Sequence, residues 1–82
     1  MRSPAHKKIR KYSVLFYPVV TGGYAAFFPV FPEITVWYPT LRQCQKAAKE
    51  ALALHLEGLK SLGERLPRQP ALVTQELTLQ VA

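Results

Sequence analysis

Cys44 and His55 are the residues of this 82-residue chain best suited to nucleophilic chemistry. A thiol becomes a catalyst when a base sits within hydrogen-bond reach of it. Here the two residues fall eleven positions apart on one expected helix, roughly 16 Å along its axis at 1.5 Å per residue. A rigid helix cannot close that gap. Cys44 therefore reads as a small buried hydrophobe, and His55 as a core or interface histidine. The chain has no Asp and no Asn, and its five glutamates are scattered, so no paired-carboxylate motif exists. Gly22-Gly23 has no following Lys-Ser or Lys-Thr to make a phosphate loop. His and Cys spacings do not match a metal site. The expectation is a non-enzyme with no cofactor, no metal and no catalytic residue.

Charge divides the chain unevenly. The net charge is +6. Arg2, Lys7, Lys8, Arg10 and Lys11 carry five positives with no acid among the first eleven residues. Subtracting them leaves +1 for residues 12–82, six Lys/Arg against five Glu. Residues 1–11 read as a basic, flexible extension that can hold phosphate without sequence preference, and residues 12–82 as a single domain. The basic start and the apolar run after it loosely imitate a signal peptide. That run, however, contains Ser13, Tyr12, Tyr17 and Pro18 and alternates like a strand. With one cysteine and no apolar stretch long enough to span a bilayer, a cytoplasmic protein without membrane contact is expected.

The elements that must position these residues can be read in order. Residues 12–17 are rich in β-formers, residues 18–23 form a turn with paired glycines, and residues 24–28 make a second strand. Pro29 and Pro32 impose an extended bend, after which residues 34–38 form a third strand stopped by Pro39. Thr40 and Gln43 have capping-box spacing. From Leu41 the apolar residues follow a helical period, with Gly63 and Pro67 as stop signals. Residues 75–81 alternate strictly: Leu77 and Leu79 face one way with Val81, and Glu76, Thr78 and Gln80 the other. This predicts a half-buried last strand.

The order β-β-β-α-β predicts an α+β, two-layer sandwich. Its sheet would have four strands, mixed, in the order 3-2-1-4, with one long helix on one face. The first three strands carry apolar residues on both faces. One set is Tyr12, Val14, Phe16, Tyr24, Ala26, Phe28, Ile34, Val36 and Tyr38; the other includes Leu15, Tyr17, Ala25, Phe27 and Trp37. A single helix covers one set and leaves the other as a patch of the kind that marks protein contacts. No Lys or Arg lies between Tyr12 and Leu41, so the patch lacks the basic residues of an RNA-stacking sheet. Tyr17, Phe27 and Trp37 are the candidate interaction residues. A dimer or tetramer joined through this surface or a sheet edge is expected, since so short a chain has no disulfide to stabilise it.

The ordered motifs resemble the N-terminal domain of HicB-type antitoxins. They are Tyr12-x-Val14, Gly22-Gly23-Tyr24-x-Ala26, Pro29-x-Phe31-Pro32, Thr40-Leu41, Glu50-Ala51-Leu52-Ala53-Leu54-His55-Leu56-Glu57-Gly58-Leu59, then Gly63 and Pro67. Glu33 stands where the family has Gly, and Arg42-Gln43 where it has an acidic pair. The resemblance implies a partial RNase H-like fold, a prokaryotic cytoplasmic setting and homo-oligomers without enzyme activity. It further implies a role in a toxin-antitoxin system, binding a small HicA-type RNA-cutting toxin. The residues after the last expected strand offer no DNA-binding element, so operator binding is not expected. The reading from a different class is a small nucleic-acid-binding protein acting through Arg2, Lys7, Lys8, Arg10 and Lys11.

Overall fold

Two glycines make the first hairpin possible. Gly22 and Gly23 have φ of 112° and 82°, a region that side chains with a Cβ rarely enter. They close the loop after β1 (Leu15–Pro18) and before β2 (Tyr24–Phe27). The Gly22 amide donates to the Val19 carbonyl at 2.8 Å and the Val19 amide to the Gly23 carbonyl at 2.9 Å. The computed structural model describes residues 9–82. β3 (Val36–Tyr38) completes an antiparallel sheet in the order β1-β2-β3, with Tyr17 opposite Ala25 and Ala25 opposite Trp37.

β3 starts later than the sequence pattern suggests. The Phe31 amide donates to Phe28 and the Ile34 amide to Phe31, both at 3.0 Å. The stretch around Pro29 and Pro32 is thus two successive tight turns rather than an extended bend, and residue 34 is used in the second. These turns drive Phe31 into the core.

α1 (Leu41–Ser61) has both ends closed by local chemistry. The Gln43 amide donates to Thr40 Oγ1 at 3.2 Å, and the Thr40 amide donates to Gln43 Oε1 at 3.3 Å. At the far end Gly63, φ 73°, donates to the Lys60 carbonyl and Glu64 to that of Leu59. This is the Schellman pattern, and it satisfies carbonyls the helix itself leaves open. At 1.5 Å per residue the helix is about 31 Å long, against roughly 13 Å for a four-residue strand. Its second half therefore outruns the strands and packs on the turns at residues 28–34.

Ala26, Phe28, Phe31, Val36, Cys44 and Ala48 form the buried core. Val14, Phe16, Tyr24, Ile34, Ala51, Leu52, Leu56 and Leu59 pack half-buried around it. The helix thus covers the set containing Val14, Phe16, Ala26, Phe28 and Val36. Tyr38, from that set, is exposed, as are Leu54 and Leu62 on the expected apolar side of the helix.

The expected four-stranded mixed sheet is not formed: among the described residues the sheet has three strands, all antiparallel, and residues 75–81 join no ladder. A physical reason lies at the start of β1. The Tyr12 hydroxyl donates to the Pro67 carbonyl at 2.6 Å, and the Ser13 amide donates to Gln69 Oε1 at 3.0 Å. Gln69 is thereby tied to the chain just ahead of β1, on an amide two residues short of the strand. The next residue, Pro70, has no amide to offer. Register also opposes it. With residue 69 beside residue 13, a parallel strand of equal rise would bring residue 75 opposite residue 19, past the end of β1. The alternating segment reaches no free edge of its own sheet, and residues 70–82 are exposed.

Candidate functional site: an open aromatic sheet face

Strand alternation puts Leu15, Tyr17, Ala25, Phe27 and Trp37 on the face away from α1. Tyr17, Phe27 and Trp37 are 48%, 40% and 50% exposed. In one cross-strand row Tyr17 and Trp37 flank Ala25; in the next, Leu15 lies opposite Phe27. No strand residue carries a charge. Such a surface recognises shape and apolar area, and its Tyr and Trp keep a polar handle at the edge of the contact.

Trp37 is held in place. Its Nε1–H donates to the Gly22 carbonyl at 3.0 Å. Its ring lies so close to Gly23 that any Cβ there would overlap it. The double glycine thus serves two purposes: it turns the chain, and it seats the indole. The sequence shows the turn, but nothing in it reveals the second role.

Cys44 and His55 take separate roles. Cys44 is fully buried under the sheet. Burial pushes its thiol above the ordinary value of 9.0, against a smaller opposing pull from a backbone hydrogen bond at Tyr38. A thiol held protonated is a poor nucleophile. In the native protein Cys44 is expected to resist alkylation at pH 7.5 and to react at the free-thiol rate once urea unfolds the chain. Equal rates in both states would show that the helix does not seal it. His55 packs edge-on to Phe31, centroids 4.8 Å apart, and its Nε2 lies 2.8 Å from Glu33 Oε2. Phe31 in turn meets Tyr12 at 5.3 Å. His55 is therefore a tie between the helix and the turn before β3. Its partner, Glu33, stands where the resembled family has glycine. Among the described residues no group of three or more potential metal ligands gathers.

The basic extension is only partly in view. Arg2, Lys7 and Lys8 lie outside the described residues, while Arg10 and Lys11 are exposed. With Arg68 they border an open cavity of about 460 Å3 that also touches Ile9, Tyr12 and Gln69. No acidic side chain lines it. Arg68 is the residue sequence reasoning missed, because 58 positions separate it from Arg10. A second cavity, about 180 Å3, lies between β1 and α1.

Fold and face together define a small α+β domain with one covered and one open sheet face. Comparison of the chain with protein-family models, with curated proteins and with solved structures finds no match. No helix among the described residues is long and apolar enough to cross a membrane.

Proposed function

We propose that this chain is a HicB-like, antitoxin-type protein-interaction module, a solo or divergent relative that binds and neutralises a small HicA-type RNA-cutting toxin in a prokaryotic cytoplasm. The observation that carries the reading is the uncharged aromatic face of Tyr17, Phe27 and Trp37, with Trp37 pinned to Gly22. The ordered motifs from Tyr12 to Pro67 supply the family. The module acts by occlusion, not catalysis. A basic toxin is met best by the sheet, because α1 presents Arg42, Lys46, Lys49 and Lys60 to solvent on its own outer side. Trp and Tyr in a preorganised patch are the residues that most often dominate a protein contact.

A second reading is favoured by one observation, the cavity shared by Arg10, Lys11 and Arg68. It is a nucleic-acid-binding protein whose contacts run through phosphates.

One experiment separates the two. A HicA-type RNA-cutting toxin is assayed for RNA cleavage with and without this chain, and the chain is titrated separately with single-stranded RNA. The antitoxin reading expects stoichiometric inhibition, with Trp37→Ala and Phe27→Ala weakening it by about 30-fold, the equivalent of roughly 2 kcal/mol. Arg10→Ala, Lys11→Ala and Arg68→Ala would leave inhibition unchanged. Cleavage that continues at full rate overturns the antitoxin reading. RNA binding that falls steeply with salt, and loses about one unit of salt slope per basic residue removed, would support the second.

A further inference from the structure

We infer that residues 75–81 of one chain add as a strand to the free β1 edge of a second copy, with Leu77, Leu79 and Val81 seated in the groove between that copy's β1 and α1. Three separate features meet here.

The first is the segment. Leu77, Leu79 and Val81 are 75%, 79% and 86% exposed, yet they alternate with Glu76, Thr78 and Gln80 as a half-buried strand does. Three aliphatic side chains at alternate positions of a segment with this strand pattern gain by leaving water when an edge is within reach. The second is the edge. β1 pairs with β2 alone, so the outward amide and carbonyl of Phe16 and the outward carbonyl of Pro18 have no ladder partner among the described residues. Natural edges are blunted by charge, proline or bulges. β1 has no charged residue; Pro18 blunts its last outward position and leaves the edge at Phe16 open. The third is the groove. The 180 Å3 cavity is walled by Val14 and Phe16 on the sheet side, Phe28 beneath, and Ala48 and Leu52 on the helix. It is apolar where a strand beside β1 would point its inner side chains.

The second copy, rather than the chain's own segment, is the occupant. The Ser13–Gln69 hydrogen bond sets residue 75 beyond the end of its own β1. A neighbouring molecule has no such register constraint. Pro67 and Pro70 make the connection stiff and remove two amides, which favours an outgoing path over a tight return. Exchange of the same element in both directions gives a closed two-fold dimer. It also enlarges a core that contains six buried side chains among the described residues. This contact lies on the sheet edge and leaves the aromatic face free, so it stands whatever that face binds.

The test is light scattering over a dilution series, followed by trans cross-linking. The full-length wild type is expected to be a dimer at micromolar concentration. Leu77→Glu/Leu79→Glu is expected to be monomeric, with unchanged circular dichroism because both side chains are exposed in the single chain. Thr78→Lys, on the opposite side of the segment, is expected to remain dimeric. In a Cys44→Ala background, a Val14→Cys chain mixed with a Leu79→Cys chain should form a disulfide-linked heterodimer on oxidation. A wild type that stays monomeric overturns the inference. So does a dimer that survives Leu77→Glu/Leu79→Glu but dissociates with Trp37→Ala, which would place self-association on the aromatic face. Cross-linking of Leu79→Cys chains only to one another would show paired tails instead of an occupied edge. A disulfide formed within one Val14→Cys/Leu79→Cys chain at high dilution would show that the segment returns to its own sheet.

Discussion

Replacing Phe28 with alanine is expected to destabilise the domain by about 3–5 kcal/mol, the range for removing a buried phenyl ring. Phe28 is the largest side chain that is wholly buried, and Cys44 and Ala48 beside it are too small to fill its place. The ring already borders the cavity between β1 and α1, so its loss would widen a void that the short strands cannot collapse around. A chain of this size has little stability to spare. Urea unfolding at one fixed protein concentration measures the effect; concentration must be held because any self-association adds to apparent stability. Phe27→Ala is the internal control. Its ring lies on the open face and is 40% exposed, so the expected loss is about 1 kcal/mol, well below that at Phe28. Equal losses at positions 27 and 28 would mean that the helix does not cover the face assigned to it.

Gly23→Ala is expected to be the most damaging single change outside the core. Two terms add. At φ 82° an alanine is held in a backbone region that costs on the order of 1–3 kcal/mol for a residue with a Cβ. The new methyl also overlaps the Trp37 ring, and overpacking adds roughly 1–3 kcal/mol unless the indole moves. If the ring moves, it gives up its hydrogen bond to Gly22 and the shape of the aromatic face changes with it. The variant should therefore lose stability and partner binding together, and its Trp fluorescence should shift. Gly22→Ala makes the comparison: its φ of 112° carries the backbone strain, but open space surrounds the position. Its indole should stay in place. A Gly23→Ala chain with wild-type fluorescence and stability would show that Trp37 does not rest on that glycine.

The signals that could be read without the fold are those carried by a few neighbouring residues. Thr40 and Gln43 close the helix start, and Gly63 closes its end, because each needs only backbone groups within four or five positions. Gly22-Gly23 announced the hairpin for the same reason. Charge separation between residues 1–11 and the rest is pure composition, and two-sided apolar strands are a matter of counting by twos. Phe31 was harder. Two flanking prolines read as an extended bend, and only the turns at Phe28–Phe31 and Phe31–Ile34 bring that ring under Tyr12 and His55.

Amino-acid order alone therefore determined the helix and its caps, the glycine turn, the basic extension and the presence of two apolar sheet faces. Tertiary structure decided which face α1 covers, because both sets are apolar and only packing distinguishes Phe28 from Phe27. It decided that Arg68 lies with Arg10 and Lys11, and that Glu33 meets His55, since such pairs depend on where distant elements return. It also decided the fate of residues 75–81. Alternation records a capacity to form a half-buried strand, but a strand needs a neighbour at matching height, and the Ser13–Gln69 contact puts this one beyond the end of β1.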